Sequence, residues 1–116
     1  MSRIALLALA GLVTAAVPAH AEFFGWQVAN VESWDVLNVR AAPNSSADIL
    51  VGYPNATPLS LTGNCTDGLK LDNINGLPKF QQRSAVRYRW CEAWIDPQGN
   101  GNFQSGWVYG KYIAPL

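Results

Sequence analysis

The 116-residue chain has a single histidine, His20, which lies near its amino terminus. The rest of the chain therefore has no imidazole for a Ser-His-Asp triad, a Cys-His dyad or a histidine-ligated zinc site. Charged residues make up only 14% of the chain, and 8 Lys and Arg balance 8 Asp and Glu. Proteins that neutralise a phosphate backbone normally carry a surplus of Lys and Arg. We therefore expect neither nucleic-acid binding nor most enzyme activities, and no metal or cofactor.

The chain has one long apolar run, at its amino-terminal end. This run, Ile4–Val17, follows a positively charged start and ends at Pro18–Ala21, a small-x-small pattern typical of signal peptidase sites. A helix that crosses a bilayer needs ~20 apolar residues, so the run is too short for a permanent membrane anchor. We therefore predict a signal peptide over residues 1–21 and a periplasmic or secreted location.

Cysteine is also scarce, with two residues and no C-x-x-C spacing. An even number of cysteines in an exported protein indicates disulfide bonding, and Cys65 with Cys91 is the one possible pairing. Closing a loop of this length stabilises a fold by roughly 3.5 kcal/mol in the chain-entropy model. We predict a structural disulfide rather than a redox pair or a nucleophilic thiol.

Aromatic residues are plentiful, with 5 Trp, 4 Tyr and 4 Phe, which excludes a disordered chain. Short apolar runs separated by turns rich in Pro, Asn and Gly are typical of strands. Such runs cover residues 36–39, 49–53, 59–62, 89–96 and 106–109. Residues 66–88 break this rhythm, and 78–87 has proline in the first turn of a predicted helix. The pattern predicts an all-β protein, a small five-stranded barrel with an inserted helical segment at 66–88.

The predicted helix carries three positive charges at four-residue spacing, Lys79, Arg83 and Arg87, which places them on one face. One interpretation is a solvated face balanced by nearby carboxylates or water. The other is a small anion-binding patch. The sequence leaves both open.

Aromatic residues gather on one face of the last two predicted strands. Strand alternation places Trp90 and Trp94 opposite the core-facing Cys91, with Tyr109 on the equivalent side of the next strand and Tyr112 just beyond it. Large aromatic surfaces are either covered by the rest of the protein or used for recognition. Either the insert covers this face, or the face binds a ligand. The candidate ligand-binding residues are Trp90, Trp94, Tyr109 and Tyr112.

Three segments of the chain resemble bacterial SH3 domains. Leu37–Pro43 resembles the opening L-N-V-R-x-x-P, and Gly106–Ile113 resembles the closing G-W-V-x-x-x-Y-L. Between them, Trp90–Ala93 is similar to the central W-x-x-A stretch. The resemblance covers residues 34–116, leaves 22–33 as an amino-terminal segment, and implies a small five-stranded, SH3-like β barrel.

The resemblance also implies a function. The family forms its ligand groove from a tryptophan and a tyrosine that match Trp90 and Tyr112, and Tyr109 stands where eukaryotic relatives often carry proline. This chain lacks their acidic, tyrosine-rich first loop, so proline-rich ligands are not expected. Bacterial members often accompany cell-wall enzymes. We therefore expect an exported, non-catalytic binding module. Its ligand is expected to be a cell-wall polymer, and the part that it recognises to be the peptide or the glycan of peptidoglycan. The alternative is a periplasmic protein-protein adaptor or inhibitor that binds an envelope protein with the same aromatics.

Overall fold

A computed structural model describes residues 23–116, so the predicted signal peptide and its cleavage site lie outside the described residues. Within the described range, no helix is both long enough and apolar enough to span a membrane. The strands are β1 Phe24–Val28, β2 Leu37–Arg40, β3 Ile49–Tyr53, β4 Pro58–Cys65, β5 Trp90–Ile95, β6 Gln104–Tyr109 and β7 Ile113–Pro115. The helices are a first 3₁₀ helix at Leu71–Asn73, α1 at Lys79–Val86 and a second 3₁₀ helix at Gly110–Tyr112.

The strands form one antiparallel sheet in the order β3-β2-β6-β5-β4-β1-β7. This arrangement confirms the predicted all-β class and the inserted helix. The strand count differs from prediction, because the described residues give seven strands in an open order rather than five closed into a barrel. Sequence reasoning missed β1 and β7. The last strand is only three residues long and contains Pro115, so it is too short for an alternation pattern to be recognised.

The core lies against one face of this sheet, because successive side chains of a strand point to opposite faces. Along β5, Cys91, Ala93 and Ile95 are buried, whereas the alternate residues are half-buried, as the sequence predicted. The amino-terminal strand β1 belongs to the same core through Trp26 and Val28. Residues 24–28 are therefore an integral part of the sheet.

The inserted segment at 66–88 packs beside the last strand of the chain, β7, through helix α1. Val86 of α1 and Leu71 of the first 3₁₀ helix are fully buried in the core. The buried Gln82 amide donates hydrogen bonds to the Leu77 and Asn75 carbonyl oxygens at 2.8 and 3.3 Å, which holds the loop that precedes the helix. The main contacts of α1 are with β7 and the second 3₁₀ helix.

The predicted disulfide is confirmed. Cys65 and Cys91 are bonded and occupy paired positions on β4 and β5. Disulfides persist in oxidising compartments, so the bridge is consistent with a location outside the cytoplasm. Its closed loop contains the whole helical insert.

The phenol of Tyr53, on strand β3, makes stability depend on pH in the alkaline range. Burial raises its pKa above the ordinary value of 10.0, and the negative charge of Asp96 raises it further. As pH rises through 10, the unfolded chain releases this proton before the folded one does, so folding stability falls. Between about pH 8 and about pH 11, the free energy of unfolding is expected to fall less for the Tyr53→Phe protein than for wild type. Urea unfolding at both pH values checks this, and an equal loss in the variant would contradict it.

Candidate functional site

An open groove of about 520 Å³ runs across the half-buried face of the sheet, between strands β2, β5 and β6. Strand β2 and the loop after it form one wall. Aromatic side chains from β5, β6 and the second 3₁₀ helix form the other. The groove is lined by Leu37, Asn38, Arg40, Pro43, Asn44, Ser45, Trp90, Tyr109 and Tyr112.

The aromatic wall is assembled by strand register. Trp90 on β5 is paired with Tyr109 on β6, and their ring centroids are 5.2 Å apart at an interplanar angle of 54°. The chain then turns through the second 3₁₀ helix, which places the ring of Tyr112 at 6.3 Å from that of Tyr109. Both separations lie in the range preferred by aromatic pairs. The three rings therefore hold one another in place along the groove.

Trp94, the fourth predicted binding residue, does not line this groove. It lies on the same face as Trp90 but four positions further along β5, about 13 Å at the usual rise of a strand. Its paired neighbours are Ser60 on β4 and Ser105 on β6. The structure thus brings together three of the four predicted residues and places Trp94 elsewhere on the sheet.

The opposite wall contains Arg40, the arginine of the Leu37–Pro43 segment, which no local pattern marked as a binding residue. Its Nη1 donates a hydrogen bond to the Ala47 carbonyl oxygen at 2.9 Å, so the guanidinium is held against the β2–β3 loop. In the same loop the Asn44 side-chain oxygen accepts hydrogen bonds from Ser46 N at 3.1 Å and Ser46 Oγ at 3.0 Å. Alternation along β2 predicts that Arg40 lies on the same face as Asn38. The contact between Arg40 and the β2–β3 loop could not be predicted in this way, because it depends on the fold.

Of the residues 23–116 that line the groove, Arg40 is the one that is formally charged. A guanidinium presents a planar set of donors that matches a carboxylate, and tryptophan and tyrosine faces stack on flat or apolar groups. Among the described residues, no Asp, Glu, His or Cys lines the groove beside the Ser45 hydroxyl. The arrangement suits a ligand that combines an apolar or ring-shaped part with an acidic group.

The carboxylates nearest in sequence to the aromatic wall have structural partners. Glu92 accepts hydrogen bonds from Thr62 Oγ1 at 3.0 Å and Asn64 Nδ2 at 3.3 Å. Asp96 accepts them from the backbone N–H groups of Asn100 and Gly101 in the β5–β6 turn. Over residues 23–116 no group of three or more His, Cys, Asp or Glu side chains is placed to hold a metal ion.

The insert leaves the groove open. No residue of 66–88 lines it, and α1 packs beside the second 3₁₀ helix instead. Of the two outcomes that the sequence allowed for the aromatic face, coverage by the insert therefore does not occur at Trp90. No family model matches the chain, and comparisons with curated proteins and with solved structures give no match either.

Proposed function

We propose that this protein is an exported, non-catalytic binding module that recognises a cell-envelope component, a peptidoglycan peptide or glycan, through the aromatic groove. The observation that carries the proposal is the convergence of Trp90, Tyr109 and Tyr112 opposite Arg40 in one open groove. Wall peptides offer carboxylates for the guanidinium, and wall sugars offer ring faces for the aromatics. The disulfide and the signal-peptide pattern support a periplasmic or secreted location.

We also propose a relationship to bacterial SH3 domains. The three segments that carry the resemblance are far apart in the sequence, yet each contributes to the same groove. Leu37–Pro43 supplies one wall, Trp90 begins the central segment, and Tyr109 with Tyr112 comes from the closing one. Motifs that matched by chance would have no reason to meet at one site. This convergence supports the relationship, while the sheet differs from a five-stranded barrel in its seven strands and includes β1, which precedes residue 34.

Co-sedimentation of the purified protein with cell-wall sacculi tests the function. We expect wild type to pellet with the sacculi and Trp90→Ala to bind at least about 10-fold more weakly, because a central aromatic anchor dominates binding energy. Trp94→Ala is the matched control, since it removes the same side chain from the same strand outside the groove. Arg40→Gln is expected to weaken binding less than Trp90→Ala does, and to make binding less sensitive to salt. Thermal melts establish that each variant is folded.

The outcomes separate the two functions predicted from the sequence. If wild type does not pellet, the cell-wall proposal is wrong. The groove residues then become candidates for a protein-protein contact, tested by crosslinking from the Trp90 and Tyr109 positions to periplasmic proteins. If wild type pellets and Trp90→Ala pellets equally well, binding to the wall uses another surface.

A further inference from the structure

A second pocket, of about 210 Å³, lies between helix α1 and the second 3₁₀ helix and is separate from the aromatic groove. Three of its lining residues are cationic: Arg83 from α1, Arg87 from the cap that follows α1, and Lys111 from the 3₁₀ helix. We call these three residues and the space between them the basic pocket. Lys79, one turn earlier on α1, lines a different depression, so the predicted basic stripe is divided by the fold.

Close packing of two helices assembles the basic pocket. Arg87 caps α1 with helical backbone angles, so it lies one turn beyond Arg83 on the same side of the helix. Lys111 joins them because Gly110, its neighbour, allows the 3₁₀ helix to pack against the end of α1. A Cβ on Gly110 would overlap the carbonyl oxygen of Val86, so only glycine permits this approach. Two segments that are distant in sequence thus line one pocket with cationic residues. Lys111 Nζ lies 5.5 Å from the centroid of the Tyr112 ring, and the Arg87 guanidinium carbon lies 5.6 Å from that of Tyr88.

In the part of the chain that the structure describes, no carboxylate lines the basic pocket. Within residues 23–116 the one ion pair joins Arg89 to Asp67 at 4.0 Å, and neither residue lines the pocket. Glu32 and Asp35 lie in a separate depression on the other side of Lys111, and neither forms a salt bridge with it. Three like charges repel one another, and that repulsion is relieved when an anion binds between them.

We propose that the basic pocket binds a phosphate group. Arg83 offers forked N–H donors for a bidentate contact. Arg87 offers its Nη groups, while its Nε donates a hydrogen bond to the Tyr88 hydroxyl at 3.3 Å. Lys111 adds a third positive charge, and three positive charges match a dianion better than a single carboxylate. Phe80, which is 68% exposed, stands at the edge of the pocket and offers an apolar surface beside the anion. The phosphate can belong to a soluble ligand or to a phospholipid headgroup, and the chemistry of the pocket is common to both.

NMR titration with inorganic phosphate, at ionic strength held constant with chloride, tests the proposal. We expect saturable shifts at the backbone amides of Arg83, Arg87 and Lys111. The variant R83Q/R87Q is expected to bind at least about 10-fold more weakly, since both guanidinium groups are removed. The control K70Q/K79Q makes the same change in net charge with two lysines that do not line the pocket, and should bind phosphate as wild type does.

Vesicle flotation identifies the source of the phosphate. Binding to phosphatidylglycerol vesicles but not to phosphatidylcholine vesicles, lost in R83Q/R87Q and weakened in Phe80→Ala, would support the proposal with a lipid headgroup as ligand. Saturable binding of free phosphate without vesicle binding would support it with a soluble ligand. If neither probe binds, or if R83Q/R87Q binds both as well as wild type does, the proposal is overturned. Sacculus binding by the aromatic groove is measured separately and does not enter either result.

Discussion

Gly110→Ala is expected to lower the free energy of unfolding by about 4 kcal/mol or more, the largest effect of any single added methyl group in the described residues. Its Cβ would overlap the Val86 carbonyl oxygen and lie only 2.5 Å from the carbonyl carbon. Both neighbours are backbone atoms, so no side chain can rotate away. The Gly110 N–H also donates a hydrogen bond to the Arg89 carbonyl oxygen at 2.7 Å, which holds the two segments together. Relief of the overlap therefore requires α1 and the second 3₁₀ helix to separate.

Separation of these two helices would disturb both candidate sites. Tyr109 precedes Gly110 and Tyr112 closes the same 3₁₀ helix, so the aromatic wall would lose its spacing. Lys111 would move away from Arg83 and Arg87. Thermal or urea unfolding measures the loss, and Gly76→Ala serves as a control because a Cβ at Gly76 meets no atom within 4 Å. A Gly110→Ala protein as stable as the Gly76→Ala protein would contradict the close approach described here.

Removal of the disulfide is expected to lower the free energy of unfolding by roughly 3.5 kcal/mol, through the loop entropy returned to the unfolded chain. This is a large share of the 5–15 kcal/mol that is typical of folded domains. The cysteines are 26 positions apart, and their loop encloses the helical insert. Two hydrogen bonds between residues next to the cysteines remain when the bridge is removed. They run from Thr66 N to the Trp90 carbonyl oxygen at 2.8 Å and from Trp90 N to Thr66 Oγ1 at 3.0 Å.

Urea unfolding of wild type with and without reductant, beside the double variant C65A/C91A, measures this contribution. Reductant should destabilise wild type and leave C65A/C91A unchanged, which separates bridge loss from other effects of the reagent. Because Trp90 adjoins Cys91, ligand binding in the groove is also expected to weaken in C65A/C91A. A double variant within about 1 kcal/mol of wild type would show that the bridge constrains the unfolded chain far less than its loop length implies.

Much of the sheet could be predicted from the chain because its strands obey a local rule. The run Ile49–Tyr53 is a strand over the predicted residues, and α1 lies within the predicted 78–87. Alternation along β5 correctly separated Cys91, which faces the core, from Trp90. Each of these predictions depends on a few neighbouring residues. The strands β1 and β7 depend instead on pairing with each other and, for β1, with β4, and neither has a strong local pattern.

The sequence by itself determined the all-β class, the helical insert, the disulfide pairing and the face that carries the aromatic residues. Each follows from composition, from short-range periodicity or from there being only two cysteines. The tertiary structure alone decided that Arg40 faces the predicted aromatic residues across the groove and that Trp94 lies outside it. It also decided that Lys111 joins Arg83 and Arg87. The physical reason is that strand register and the close approach at Gly110 place residues that are distant in sequence side by side, and no local pattern encodes those distances.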